Sequence, residues 1–284
     1  MAFNYSSLKK ITTAGIVNDT VQTGDLASNA VGSDEITNST VVSGDLAVSA
    51  VNLGTTVVTG SAAVAKGGTG LTSVGSANQA LTINSGNNGL VYAPTGLYGM
   101  QVFTGSGTWN RPSGVRYIKV QITGGGGAGS GHGESGGAGG YSERILDMSG
   151  TSSVSVSISG ESNGTYYSGA GGNGGGSSFG PYLSAGGGYG ANRNNQHSGG
   201  LGGSGSGGTV NTYGGGGQSH HNRSSPGGDS YWGGAVAAGH PQGGNFSHNH
   251  QSHSAPGSGG SGGYFNSHRG SNGRPGYCVV TMFY

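Results

Sequence analysis

Charged residues are scarce in this chain of 284 residues. Lys and Arg number 11 and Asp and Glu number 10, so charged side chains make up 7% of the sequence and the formal net charge is +1. A typical protein has about 25% charged residues. The few cationic residues are scattered, so the basic patch that marks nucleic-acid binding is missing. We therefore expect no nucleic-acid partner.

Cysteine and long apolar runs are also nearly missing. Cys278 is the one cysteine, so no disulfide can form within the chain. No apolar stretch reaches the roughly 18 residues of a membrane-spanning helix, and the N-terminal residues lack an apolar run of signal-peptide length. These absences predict synthesis in the cytoplasm without membrane insertion.

Apolar residues recur at every fifth position near the N-terminus. The positions are Ile11, Ile16, Val21, Leu26, Val31, Ile36, Val41, Leu46 and Val51. This spacing matches neither a helix nor a simple strand. A single chain with one such residue in five cannot enclose a core, whereas several chains wound about one axis can. The alternative is a polar linker whose periodicity is accidental.

Two N-terminal motifs resemble those of bacteriophage tail-fibre proteins. Residues 24–36 read GDLASNAVGSDEI, which is similar to the decapeptide-type repeats of fibre shafts. Residues 65–73 read AKGGTGLTS and lead into an NSG-containing stretch, a pattern common in the same proteins. The resemblance covers about residues 15–95 and implies an elongated homotrimeric fibre in the virion, made in the cytoplasm of the host.

This resemblance suggests a division of the chain into four parts. They are a virion-attachment segment (1–14), a repetitive trimeric shaft (15–60), a KGGTGLTS-type connector (61–96) and a glycine-rich tip (97–284). Because the tip occupies the C-terminal end, we expect the other end to bind a phage tail or baseplate protein. Candidate contact residues there are Phe3, Tyr5 and Leu8.

The tip combines short β patterns with a high glycine content. Apolar residues alternate with polar ones around Ile118 and Val156, and the chain ends on a dense apolar run. Such alternation predicts half-buried strands, which we place near residues 101–123, 141–159 and 277–284. Together they predict an all-β tip, a small antiparallel β-sandwich that carries long glycine-rich loops.

Glycine supplies 68 residues, and two interpretations of the glycine tracts compete. Glycine-rich segments are usually flexible linkers. Alternatively, the tracts form extended helices packed side by side and joined by backbone hydrogen bonds, because glycine has no Cβ. Aromatic residues punctuate these tracts, which favours the packed arrangement.

The tip also resembles a glycine-rich domain found at the ends of phage fibres. The shared pattern includes Thr108-Trp109, Pro112 and the SSFG sequence at residues 177–180. The resemblance implies that loops bind a host surface polysaccharide or outer-membrane protein. Our candidate receptor-binding residues are Tyr166, Tyr167, Asn192, Arg193, Tyr231, Trp232, Phe246, His248, His250 and His253. Aromatic and small polar residues suit adaptable recognition loops, and the arginines there suit anionic sugars or phosphates.

One histidine pair raises the question of a metal. His248 and His250 form an H-x-H motif, which resembles the iron-binding motif of trimeric long tail fibres. Imidazole suits iron and other transition metals. The alternative is a polar cluster in an exposed loop, and otherwise we expect no cofactor.

Catalysis is not expected. Glycoside cleavage normally needs two carboxylates about 5–10 Å apart. The acids beyond residue 100 are Glu134, Glu143, Asp147, Glu161 and Asp229, and none forms a close pair in the sequence. We therefore predict a structural tail-fibre protein that binds the host cell and is not an enzyme. The alternatives are a fibre or capsid decoration protein without receptor binding, and a polysaccharide depolymerase.

Overall fold

The computed structural model describes the C-terminal three quarters of the chain, with short gaps. The described residues are 69, 71, 74–166, 169–192, 198–220, 223–235, 254–264 and 268–284. The predicted attachment segment and shaft, including Phe3, Tyr5 and Leu8, lie outside them. So do the first residues of the connector.

Every regular element in the described part of the chain is a β-strand, which confirms the all-β prediction. The strands are β1 (Gln79–Ile83), β2 (Leu90–Pro94), β3 (Leu97–Phe103), β4 (Gly107–Asn110), β5 (Tyr117–Thr123), β6 (Tyr141–Asp147), β7 (Ser153–Ser157), β8 (Ser177–Phe179), β9 (Leu183–Ala185), β10 (Gly205–Ser206), β11 (Val210–Thr212) and β12 (Tyr277–Phe283). Within these residues no helix is long and apolar enough to cross a membrane.

The strands form a hairpin and two five-stranded antiparallel sheets. β1 and β2 make the hairpin. The first sheet has the order β11-β6-β5-β12-β3, and the second has the order β10-β9-β8-β7-β4. The C-terminal strand β12 lies between β5 and β3, so the last residues of the chain hold the first sheet together.

The core lies between the two sheets. Ile118, Val120 and Ile122 alternate along β5 and are fully buried, as the alternating pattern predicts. From the second sheet, Trp109 and Phe179 join the same cluster with ring centroids 6.0 Å apart. This packing of one apolar face of each sheet against the other is that of a β-sandwich.

Glycine-rich tracts leave the strands at one end of the sandwich and return to it in pairs. The outward and return tracts are 124–130 with 134–140, 159–165 with 170–176, 186–192 with 198–204, 213–220 with 223–229, and 255–264 with 268–276. The first pair connects β5 to β6, and the last pair ends at β12. We call the sheet side of the tracts the proximal end and the side of their turns the distal end.

Hydrogen bonds join each tract to its neighbours with a period of three residues. Amide donors of residues 124–129 bond in turn to carbonyl groups of three different tracts. The pairs are Gly124–Gly140 and Gly127–Gly137, then Gly125–Gly175 and Ala128–Gly172, then Gly126–Arg274 and Gly129–Ser271, all 2.8–3.1 Å apart. Three residues per turn without internal hydrogen bonds define a polyproline II-type helix. The tracts are therefore extended helices packed side by side, as in the second of the two interpretations, and not flexible linkers.

Glycine is required in these tracts because neighbouring backbones approach one another closely. No glycine in residues 124–130 has a positive φ, so the left-handed region is not the reason for its use. A Cβ added to Gly126 would instead overlap the carbonyl group of Ser258 in a neighbouring tract. Removing the side chain allows backbones to pack closely enough for the hydrogen bonds between tracts.

Candidate functional site

The distal turns form one cluster, because backbone hydrogen bonds connect them. Thr165 donates to the carbonyl of Gly129 at 3.2 Å, and Gly270 donates to the carbonyl of Thr165 at 3.0 Å. Gly263 donates to Ser130 at 2.8 Å. Side chains in this cluster therefore come from segments far apart in sequence but rest on one hydrogen-bonded scaffold.

A buried polar group lies beneath this cluster. Glu134 is fully buried and accepts a hydrogen bond from the hydroxyl of Ser130 across the turn at residues 131–133. The hydroxyl of Ser225 donates to the carbonyl of Gly133 in the same turn. A buried carboxylate needs such partners, so Glu134 fixes the turn and faces away from solvent.

Tyr166, a predicted receptor-binding residue, lies on the distal surface. Its side chain is 57% exposed, and the guanidinium carbon of Arg269 lies 5.8 Å from the centre of its ring. Arg269 also donates from Nε to the carbonyl of Gly164 at 2.8 Å. The two loops that carry Tyr166 and Arg269 are thereby linked through one side chain, which is a contact that sequence reasoning missed.

Further polar and aromatic groups belong to the distal cluster. Nδ1 of His268 lies 2.6 Å from the carbonyl oxygen of Tyr264, which orients the imidazole ring. Arg223 is exposed on the neighbouring turn. Asn192, a predicted contact residue, is exposed too, and its backbone pairs with that of Ser198.

Tyr231 and Trp232 lie at the proximal end, away from the distal turns. The ring of Tyr231 stacks on that of Tyr141 of β6, with centroids 3.5 Å apart and planes inclined by 10°. Trp232 is half-buried, donates from Nε1 to the hydroxyl of Thr123 at 2.9 Å, and packs edge-on against Tyr277. These two predicted residues therefore fasten their loop to the outer face of the first sheet.

A polar network continues from this aromatic cluster. The hydroxyl of Tyr141 donates to Glu143 at 2.6 Å, and Glu143 also pairs with Lys119 at 3.1 Å. Burial, followed by the hydrogen bond to Glu143, raises the pKa of Tyr141 well above its ordinary value. Burial opposes ionisation of Glu143, but the donors Tyr141 and Lys119 prevail and lower its pKa. The network therefore carries a proton on the phenol and a charge on the carboxylate.

The remaining predicted residues lie outside the described part of the chain. They are Tyr167, Arg193, Phe246, His248, His250 and His253. The histidine-containing stretch begins after Ala235 and ends before Ser254, and Ala255 donates to the carbonyl of Gly234 at 3.1 Å. The described residues on either side of this stretch thus meet at the proximal end. Among the described residues, no group of three or more His, Cys, Asp or Glu is placed to hold a metal.

Comparison with known proteins assigns the glycine-rich part of the chain to a family. A search of curated proteins finds no match. A family model described as a glycine-rich domain matches residues 101–283, a span that runs from β3 through all the tracts to β12. The match covers more than half of the sequence, and the chain belongs to this glycine-rich domain family.

Proposed function

We propose that this chain is a bacteriophage tail-fibre protein that works as a homotrimer and binds the host cell through its distal turns. The observation that carries the proposal is the placement of Tyr166, Asn192 and their neighbours on one surface. That surface is held by a lattice of backbone hydrogen bonds anchored in a β-sandwich. Recognition residues commonly lie on loops held by a rigid scaffold.

The scaffold suits recognition because a network of backbone hydrogen bonds joins the tracts. Backbone groups are the same for every residue type, so exposed turn residues such as Asn192 can change while these bonds are kept. Ordering a loop on binding costs free energy, and a scaffold that holds loop ends in place reduces that cost.

The assembly part of the proposal is supported by exposed apolar side chains on β3. Leu97 is 60% exposed, Met100 is 65% exposed and Val102 is 46% exposed. β3 is an edge strand of the first sheet and directly follows the connector. Exposed apolar edges favour association, and the five-residue periodicity favours several chains at the N-terminal side. We propose that second and third copies cover this face.

The chain acts by binding rather than by catalysis in this proposal. Lys119 pairs with Glu143, Arg116 pairs with Asp147 at 3.2 Å, and Arg274 pairs with Glu161 at 3.4 Å. Glu134 is buried. These carboxylates have structural partners, which supports a non-enzymatic role.

Binding of the fluorescently labelled full chain to a panel of bacterial strains tests the proposal. We expect saturable binding to some strains, and we expect Tyr166→Ala to weaken it by about tenfold, since an aromatic contact residue contributes more than about 1 kcal/mol. Tyr213→Ala is the matched control, because Tyr213 is 81% exposed at the proximal end. Absence of binding to every strain would favour the purely structural alternative, and cleared polysaccharide halos would favour a depolymerase.

A further inference from the structure

The distal turns contain few acidic residues. The turn segments 163–171, 191–199, 218–225 and 261–270 contain no Asp or Glu, and the last three of them contain arginines and histidines. The remaining distal turn has Glu134, which is fully buried. Arg223 and Arg269 are the arginines of these turns that the structure describes.

Arg269 is the cationic residue there whose orientation is best defined. Its Nε–H bond to Gly164 fixes one edge of the guanidinium group, and the ring of Tyr166 lies beneath the group at 5.8 Å. Its side chain is half-buried. A planar guanidinium held in this way is suited to carboxylate and phosphate groups, whose oxygens it binds in pairs.

Tyr166 supplies a second, different kind of contact. Its ring is 57% exposed, so it offers a flat apolar surface and a hydroxyl beside the cation. A ligand that contacts both the guanidinium and the tyrosine ring has an anionic substituent on a ring with an apolar face. A phosphorylated or carboxylated sugar has this combination, whereas a simple anion has only the negative charge.

We infer that Arg269 and Tyr166 form a subsite for an anionic sugar of the host surface, with the acidic group on Arg269 and the sugar ring on Tyr166. This inference rests on the proposed function, and it specifies the ligand class for it. Arg223 on the neighbouring turn adds to the positive field that attracts an anionic polysaccharide.

The test measures binding of the full chain to three immobilised polysaccharides. Phosphomannan carries phosphate, polygalacturonic acid carries carboxylate, and dextran is neutral. We expect binding to at least one anionic polymer, no binding to dextran, and weakening as salt increases. The first two arms distinguish phosphate from carboxylate as the recognised group.

Variants separate a defined subsite from general charge attraction. We expect Arg269→Gln to lower affinity about tenfold, equivalent to about 1.4 kcal/mol. Arg269→Lys keeps the charge but loses the planar fork, so we expect it to restore only part of the affinity. Arg116→Gln is the matched control, since Arg116 also lies over a tyrosine ring, that of Tyr117, at 5.0 Å. Thermal unfolding of each variant shows whether it is folded.

Three outcomes would overturn the inference. One is equal binding to dextran and the anionic polymers, and another is an equal loss in Arg116→Gln and Arg269→Gln. The third is a chain that binds bacterial cells but none of the anionic polymers, with cell binding unchanged in Arg269→Gln. In that last case the proposed host-binding function stands and only the ligand class is wrong. Failure to bind any cells contradicts the proposed function itself.

Discussion

Gly126 and Gly160 both belong to glycine-rich tracts, but their surroundings differ. A Cβ on Gly126 would overlap the backbone of Ser258, whereas nothing lies within 4 Å of the corresponding position at Gly160. Backbone cannot move aside without breaking hydrogen bonds between tracts. The two positions therefore test whether glycine is needed for close approach.

We expect Gly126→Ala to lower the free energy of unfolding by about 3 kcal/mol or more, as for a severe overpacking substitution. Gly160→Ala should change it by less than about 1 kcal/mol. Denaturant unfolding of the two variants beside the parent chain measures both. Equal, small effects would show that the tracts are not packed as described.

Cys278 provides a second test at the level of single residues. Burial in the core raises the pKa of its thiol to about 12. At neutral pH the thiol is therefore protonated, and it is the thiolate that reacts. We expect no reaction with a thiol reagent at pH 8 in the folded chain and full reaction after denaturation. Rapid reaction of the folded chain would contradict the position of β12 in the core.

Some of these residue environments follow from sequence and others do not. The burial of Ile118 and Val120 follows from their alternation with polar residues. The pairing of Arg269 with Tyr166 does not, because the two residues are brought together by hydrogen bonds between tracts that have no side-chain pattern. Its sequence context predicts that Tyr231 is a loop contact residue. The stacking of its ring on Tyr141 depends on how the loop packs against the sheet, and no local sequence pattern indicates that packing.

At the scale of single elements, side chains of Tyr231 and Trp232 attach their loop to the first sheet. Trp232 combines a hydrogen bond to Thr123 with edge-on ring contacts to Tyr141 and Tyr277. Replacing it with Phe keeps an aromatic ring but removes the donor.

We expect Trp232→Phe to lower the free energy of unfolding by about 1 kcal/mol, the typical contribution of one hydrogen bond. Tyr189→Phe is a suitable control, because Tyr189 is 55% exposed. Thermal or denaturant unfolding gives both values. If Trp232→Phe is as stable as the control, the hydrogen bond to Thr123 does not fasten the loop.

The strands differ in how far sequence predicts them. β5, β6, β7 and β12 carry apolar residues or alternation that mark strands. β8 to β11 have only two or three residues each, which is too few for an apolar–polar alternation to mark them as strands. They form because the tracts bring them back to the sandwich, and no strand is predicted there from the sequence.

At the scale of the whole molecule, the proposed trimer has a simple consequence. One chain has a mass of 27.6 kDa, and light scattering of the purified full chain should give about three times that value. The apolar side chains on the outer face of β3 stay exposed among the described residues of one chain. A mass of one chain at micromolar concentration would contradict the trimer.

Paired substitutions locate the contact between copies. Met100 on the edge strand β3 and Ile145 on β6 are each 65% exposed. We expect Met100→Glu to lower the temperature at which the trimer dissociates, and Ile145→Glu to have little effect, since Met100 lies on the strand that follows the connector. Equal effects of both substitutions would contradict the assignment of β3 to the interface.

Amide hydrogen exchange of the full chain tests the central claim most directly, namely that the glycine tracts form an ordered scaffold for the distal turns. We predict that tract amides, such as those of residues 124–129, exchange at least about a hundredfold more slowly than those of an unstructured peptide, equivalent to about 2.7 kcal/mol of protection. The protection should approach that of β5. Exchange of the tract amides at the rate of an unstructured peptide, with β5 still protected, would contradict the account.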